Sequence, residues 1–400
     1  MDSISKEEPV QIKSRIVLSA LLIVLLVGSV YISQLIFQEI SQTYHIDILA
    51  ARNVFSLSCF FYAISFFIYG PLSDKVSTKL LVLLGSIGTV CCLELSVIVD
   101  SFNLYLVVMS LIGFFAAAVP AALFAYTAKN TPNHKLPQAM GIMISASIVG
   151  IIFSRSVIAM LTDFWSWQVA FAIYAGLITI ACIFVPFTIK QSSHQSSTTS
   201  VLGTYLAAIK LLFDKTVIIF LSVGFVLFFV YLGLSSLLTF YLKSAPFSLS
   251  ATVLGWLNFA GLSAVIGTII TSKLLQVLNE RYLLIIYLLA VCVTVVTIGY
   301  SSSLFIIGLG IFSLFLFVFG LQPLVIAMLN KIVPINSRGA ISSLYLLSCL
   351  AGGSIGTYLL GIVYQNMAWN GVIVISVVLA IVNLILALVG IQLIKSNHRK

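Results

Sequence analysis

The 400-residue chain is built of long apolar runs separated by short polar interruptions. The runs are too long for strands. A helix advances about 1.5 Å per residue, so about 20 apolar residues cross a hydrocarbon core of roughly 30 Å while satisfying every backbone polar group internally. Cutting the chain at its charged and Pro/Gly/Ser-rich breaks predicts twelve such helices, at 16–40, 54–69, 80–99, 104–126, 139–161, 169–187, 217–241, 254–271, 282–300, 304–329, 340–364 and 372–394. The first outruns the apolar part of a signal peptide, follows Glu7 and Glu8, and shows no small-residue cleavage site, so it is expected to stay in the mature protein. The predicted fold class is an all-α integral membrane protein.

Composition agrees with that pattern. Hydrophobic residues make up 61% of the chain and charged residues 8%, against about 25% charged in soluble domains. The net charge of +9 is distributed by topology. Outside the spans, every Lys and Arg except Arg52 and Lys243 falls on one side of the twelve-helix arrangement, which predicts cytoplasmic termini by the positive-inside rule. The expected location is therefore the plasma membrane, the inner membrane of a two-membrane cell. No soluble basic face is large enough for a nucleic-acid partner.

Cys59, Cys91, Cys92, Cys182, Cys292 and Cys349 lie within apolar spans without a Cys-x-x-Cys pair, and His45, His134, His194 and His398 lie in loops or tails. Neither set predicts a metal site or a cofactor. No nucleophile elbow or Gly-rich phosphate loop points to an enzyme.

A polar run at 191–200, rich in Ser, Thr and Gln, divides the spans six and six. The expected domains are a tail at 1–15, a bundle at 16–187, a cytoplasmic linker at 188–216, a second bundle at 217–394 and a tail at 395–400. Residues 205–213 within the linker have the spacing of a short amphipathic surface helix. The loop at 272–281 sits in the second half where 70–79 sits in the first, so the halves repeat weakly. Such a repeat predicts two pseudo-symmetric six-helix bundles with a site between them near the midplane. Small-residue stripes at Ala146, Gly150 and Ser154, at Ser263 and Gly267, and at Gly352 and Gly356 predict close helix contacts.

The charged turn Gly70-Pro71-Leu72-Ser73-Asp74-Lys75 resembles the loop signature between helices two and three of the major facilitator superfamily, with Gly70, Leu72, Asp74 and Lys75 as the matching positions. Tyr31-Ile32-Ser33-Gln34, Val119-Pro120-Ala121 with Tyr126, Ser154-Arg155, the 241–250 loop, and Ser343-Leu344-Tyr345 with the 352–356 run are similar to patches of the YnfM-type branch of the drug:proton antiporter group. The resemblance implies the major facilitator fold. It also implies export of a small organic molecule such as a drug, siderophore or metabolite, in exchange for protons. The expected partners are that small molecule, protons and the bilayer, with the protein acting as a monomer. The chain departs from the antiporter pattern at Met109, where an Arg is common, at Ser154-Arg155 in place of Gly-Pro, and at Ser77 and Thr78 in the loop signature. An importer of an organic anion or metallophore and a non-transporting membrane sensor are the alternatives.

Arg155 is the sharpest single residue. A cation in a membrane helix costs roughly 2.5–3.5 kcal/mol on insertion scales, so it needs a partner, a wet cavity or a route to the interface. It is either a cavity residue that pairs with an anionic substrate or a carboxylate, or a snorkelling side chain directed towards Asp163. Glu94, about 21 Å along the third span, and Glu39, at the outer end of the first, are the candidate proton carriers. Tyr31, Gln34 and Gln38 recur at helical spacing and are expected to share a cavity face. Tyr231, Trp256, Asn258, Gln322 and Tyr345 are their counterparts in the second half. The resemblance further implies a cytoplasmic gate in which Gly70, Asp74 and Lys75 meet the start of the eleventh helix near Arg338.

Overall fold

The computed structural model describes residues 9–73, 76–130, 136–189, 210–333 and 338–397, and among them all regular structure is helical. Ten helical stretches are long and apolar enough to cross a membrane, and a shorter apolar helix, Ile16–Ser29, precedes them. The last stretch, Leu344–Lys395, is twice the usual length. It turns at Ala368, whose φ of 51° and ψ of −158° leave helical geometry. The twelve-span reading therefore needs the two legs of this element and the opening segment each to cross.

The helices are built inside out relative to a soluble protein. In Thr78–Ile98 the large apolar Leu80, Leu84 and Ile87 point outward, while Gly85, Ser86 and Thr89 are buried against neighbours. Lipid is as apolar as leucine, so association depends on close packing of small and weakly polar faces. Two predicted stripes show this directly. A Cβ on Gly150 would collide with the backbone of Val24, and one on Gly352 with the backbone of Phe225. Several helix starts are fixed by side-chain caps: Ser77 accepts from the Leu80 amide, Ser166 from Val169, and Asp214 from Thr216 and Val217.

Helices before residue 190 and after residue 209 meet along two seams. Asn53–Leu72 packs against Arg338–Asn397, and Leu136–Phe164 packs against Ala251–Asn258. One end of the molecule gathers Glu39, Arg52, Asp163, Lys243 and Thr252. This distal end is the one that the charge pattern of the sequence predicts to face outside. The linker at 190–209, with most of the 205–213 surface-helix reading, lies outside the described residues.

Three expectations about regular helices need correction. The first span is not continuous: Pro9–Ser29 ends and Phe37–Tyr44 begins anew. The bonds between them run from Tyr31 N–H to the Gly28 carbonyl (2.8 Å), Gln34 N–H to Tyr31 (3.1 Å) and Ile36 N–H to Ser33 (3.2 Å), which tightens the chain below α-helical pitch. Ser29 donates back to the Leu26 carbonyl at 2.7 Å, a bond that competes with the helix ladder. The fourth span breaks at Ala117, and the eighth passes through a 3₁₀ turn at Phe259–Leu262.

Candidate functional site

Arg155 stands on Leu136–Phe164 and is only 2% exposed. Its Nε donates to the Ile151 carbonyl at 3.0 Å and its Nη1 to Gln34 Oε1 at 2.8 Å. The guanidinium carbon lies 5.4 Å from the centre of the Phe315 ring, a cation–π distance. Arg155 Nη2 and Gln34 Nε2 have no hydrogen-bond partner. The hydroxyl of Tyr231 sits beside the guanidinium but outside hydrogen-bond geometry, so it too is unpaired. Arg155 and Gln34 come from the first half, and Tyr231 and Phe315 from the second.

The broken first span explains how Gln34 reaches this point. Tyr31 and Gln34 are both buried, and the Tyr31 ring lies 5.4 Å from Phe55. Gln38 instead is exposed, because the non-helical turns rotate it off the face that uniform spacing predicted. Opposite, Tyr231 meets Phe315 and Phe319 edge-on at 5.1 and 5.5 Å, and Phe228 adds a further edge at 5.6 Å. Gln322, half-buried, follows Phe315 and Phe319 at i+7 and i+3 and shares their helix face. Tyr345 is fully buried with an unpaired hydroxyl.

Asn258 takes a stitching role. Its Nδ2 donates to the Ile152 carbonyl (3.1 Å) and to Ser156 Oγ (3.0 Å), and Ser156 in turn donates to the Gly255 carbonyl at 2.9 Å. Trp256, two residues earlier, is 65% exposed and turned away from the cluster, because Gly255 and Asn258 occupy the inward face. Glu94 is likewise exposed on the outward face of its helix, away from the cluster. Asp163 does not receive Arg155. It accepts from the Thr252 amide at 2.6 Å, capping the start of Ala251–Asn258 from the other half.

The distal end carries the remaining cross-half bonds. Glu39 pairs with Lys243 at 2.6 Å. Arg52 donates to the Tyr358 carbonyl at 3.3 Å and lays its guanidinium where a side chain on Gly361 would stand. Ser56 and Ser354 each donate to the other's carbonyl, at 2.9 and 2.7 Å, and Cys59 lies 3.7 Å from the Leu350 carbonyl. Both distal cations that stood apart in the charge pattern are thus cross-half contacts. Of the gate residues, Asp74 and Lys75 lie outside the described residues, Gly70 lies near the end of Asn53–Leu72, and Arg338 opens the last helix with its side chain undescribed.

The aromatic group Phe228, Phe315 and Phe319 was not singled out in the sequence, nor were Ser56 and Ser156, while Ser354 entered only as part of the 352–356 run. The first had a usable signal, since Phe315, Phe319 and Gln322 recur at helical spacing. Single serines in apolar runs had none.

The Major Facilitator Superfamily family model matches residues 17–356. The MFS-type transporter YybF of Bacillus subtilis is 22% identical over 346 residues, covering 86% of this chain and 85% of that protein. The inner membrane transport protein YnfM of Escherichia coli is 25% identical, covering 92% and 87%. The multidrug resistance protein MdtG of Klebsiella pneumoniae is 25% identical over 139 residues, 35% of this chain and 34% of that one. Among solved structures, the nucleoside transporter NupG superposes with a TM-score of 0.78 at 16% identity, covering 94% of this chain and 99% of that one. With ten apolar helices, a family match across most of the sequence and relatives that are transporters rather than enzymes, the chain is a multi-pass membrane transporter belonging to the Major Facilitator Superfamily.

Proposed function

We propose that this transporter exports a small organic molecule of the drug, siderophore or metabolite kind by alternating access, rocking residues 16–187 against residues 217–394. The observation that supports it best is the Arg155 cluster. Buried polar groups without partners are costly, and here they converge from both halves at a seam of direct hydrogen bonds. A site shared by two bodies changes its access when they rock. Export follows the multidrug resistance relative and the branch resemblance. We place the protein in the plasma membrane as a monomer with cytoplasmic termini. Gly70, Asp74, Lys75 and Arg338 would then form the gate on the inner side.

Comparing small molecules in medium and cytosol, between cells lacking the protein and cells overproducing it, tests the direction. A compound that accumulates inside the former and outside the latter is the expected result. The reverse distribution favours import of an organic anion or metallophore, a second reading that the buried cation also supports. No difference in any growth condition counts against the export proposed here and favours a non-transporting sensor that kept the fold.

For proton exchange, Glu39 is the better carrier of the two candidates. Its pairing with Lys243 joins the halves, so its protonation would loosen the distal seam. Glu39→Gln is expected to reduce proton-driven uptake into inverted vesicles to the background of empty vesicles while substrate exchange persists. Glu94→Gln, on the lipid-facing surface, is expected to leave both intact. Full proton drive in Glu39→Gln would remove Glu39 from the coupling.

A further inference from the structure

We infer that the Arg155 site takes the carboxylate of an organic acid with a flat or branched apolar body. The inference deepens the transport reading above and rests on it.

The charge comes first. Among the described residues, each carboxylate has a place elsewhere. Glu39 is on Lys243, Glu280 on Lys331 and Asp163 on the Thr252 amide. Asp47 and Asp214 cap helices, and Glu94 and Asp100 are exposed. The guanidinium therefore lies buried, nearly out of water, with no anion among the described residues beside it. A buried charge of this kind is strongly unfavourable unless something supplies the counter-charge.

The donor set comes second. Gln34 spends its carbonyl oxygen on Arg155, leaving Nε2 to donate. Arg155 Nη2 and the Tyr231 hydroxyl are also uncommitted. These are all N–H and O–H donors; Arg155 is the one that lines the cavity described next, and its planar guanidinium suits the two oxygens of a carboxylate. An organic cation would meet a like charge and an amide whose acceptor is already used.

Shape comes third. A cavity of about 40 Å³ opens beside Arg155, bounded by Asn258, Leu35, Leu238, Leu254 and Phe315. That space fits a headgroup. Whole drug-sized ligands need roughly 300–1,000 Å³, so the body of the molecule must part the seam. Leucines and the Phe315 ring make most of the wall, with Ser235 and Thr239 adding hydroxyls, and the Tyr231 and Phe319 rings pack against Phe315, a lining that favours a largely apolar and flat or branched frame.

Thermal unfolding of the purified full-length protein with 2-naphthoate, 2-naphthamide and 2-naphthylmethylammonium tests this. The expected result is stabilisation by 2-naphthoate alone, with the affinity of Arg155→Gln lower by about 10- to 100-fold, as for loss of a charged hydrogen bond, and partial retention in Arg155→Lys. Equal stabilisation by the amide or the cation, no stabilisation by the carboxylate, or unaltered naphthoate affinity in Arg155→Gln would overturn the inference. If Arg155→Gln does not fold, the carboxylate-against-amide comparison on the unaltered protein and on Tyr231→Phe decides it. The cell profiling described above separates the two levels: export of a neutral or cationic compound defeats the carboxylate site and keeps the export reading, while the absence of any exported compound defeats both.

Discussion

Transport is expected to fall to background when Ser56→Cys and Ser354→Cys are combined and oxidised, and to recover on reduction. The two hydroxyls lie 3.5 Å apart on opposite halves, each donating to the other's backbone carbonyl. A hydrogen bond of this sort contributes about 0.5–1.5 kcal/mol, so the native seam can open and reclose within a transport cycle. A covalent bond cannot. Oxidised single variants and the oxidised unaltered protein, which already contains buried Cys59 and Cys349 nearby, serve as controls. Normal transport by the cross-linked double variant would mean that this seam never opens, and rocking about it would be wrong.

The second large effect is on folding. Gly352→Val is expected to abolish accumulation of folded protein in the membrane, and Gly352→Ala to lower its thermal stability markedly. A side chain there would run into the backbone carbonyl and Cα of Phe225, which no rotamer change can move aside. Overpacking of a well-packed interior typically costs 1–3 kcal/mol, and occasionally more, and here the obstacle is backbone. Gly176 supplies the contrast, because a Cβ at that position meets no atom within 4 Å. Gly176→Ala is expected to be neutral or stabilising by about 0.5–1 kcal/mol through helix propensity. Thermal unfolding of both alanine variants in the same detergent measures the difference, and equal stability would count against the close packing of the 215–243 and 338–397 helices.

Span positions were legible in the sequence because a membrane imposes length and hydropathy on each helix separately, and those properties are local. Arg155 was legible for the same reason, as a charge where charges are costly. Its surroundings were not. Assigning Tyr31, Gln34 and Gln38 to one face assumed an unbroken helix, and the turns at 30–35 have no proline to announce them. Trp256 and Glu94 could not be placed because hydropathy does not say which side of a membrane helix faces lipid when both sides are apolar. The partners of Ser56, Ser156 and Arg52 lie about 100 to 300 residues away in the chain, a separation that pattern along the chain does not report.

An uncompensated Arg155 also has an electrical consequence. If the empty site carries one positive charge and an occupied site none, loaded reorientation moves no charge at the site and the return of the empty site moves one. With the cell interior negative, that return is drawn inward. Each elementary charge crossing the full potential is worth about 2.3 kcal/mol per 100 mV, equivalent to roughly a 40- to 50-fold concentration ratio. The same voltage that assists outward delivery of a monoanion opposes its uptake, so the charge of the substrate gives the cycle its preferred direction before any exchanged ion is counted, and the buried arginine decides that the voltage acts on the return step.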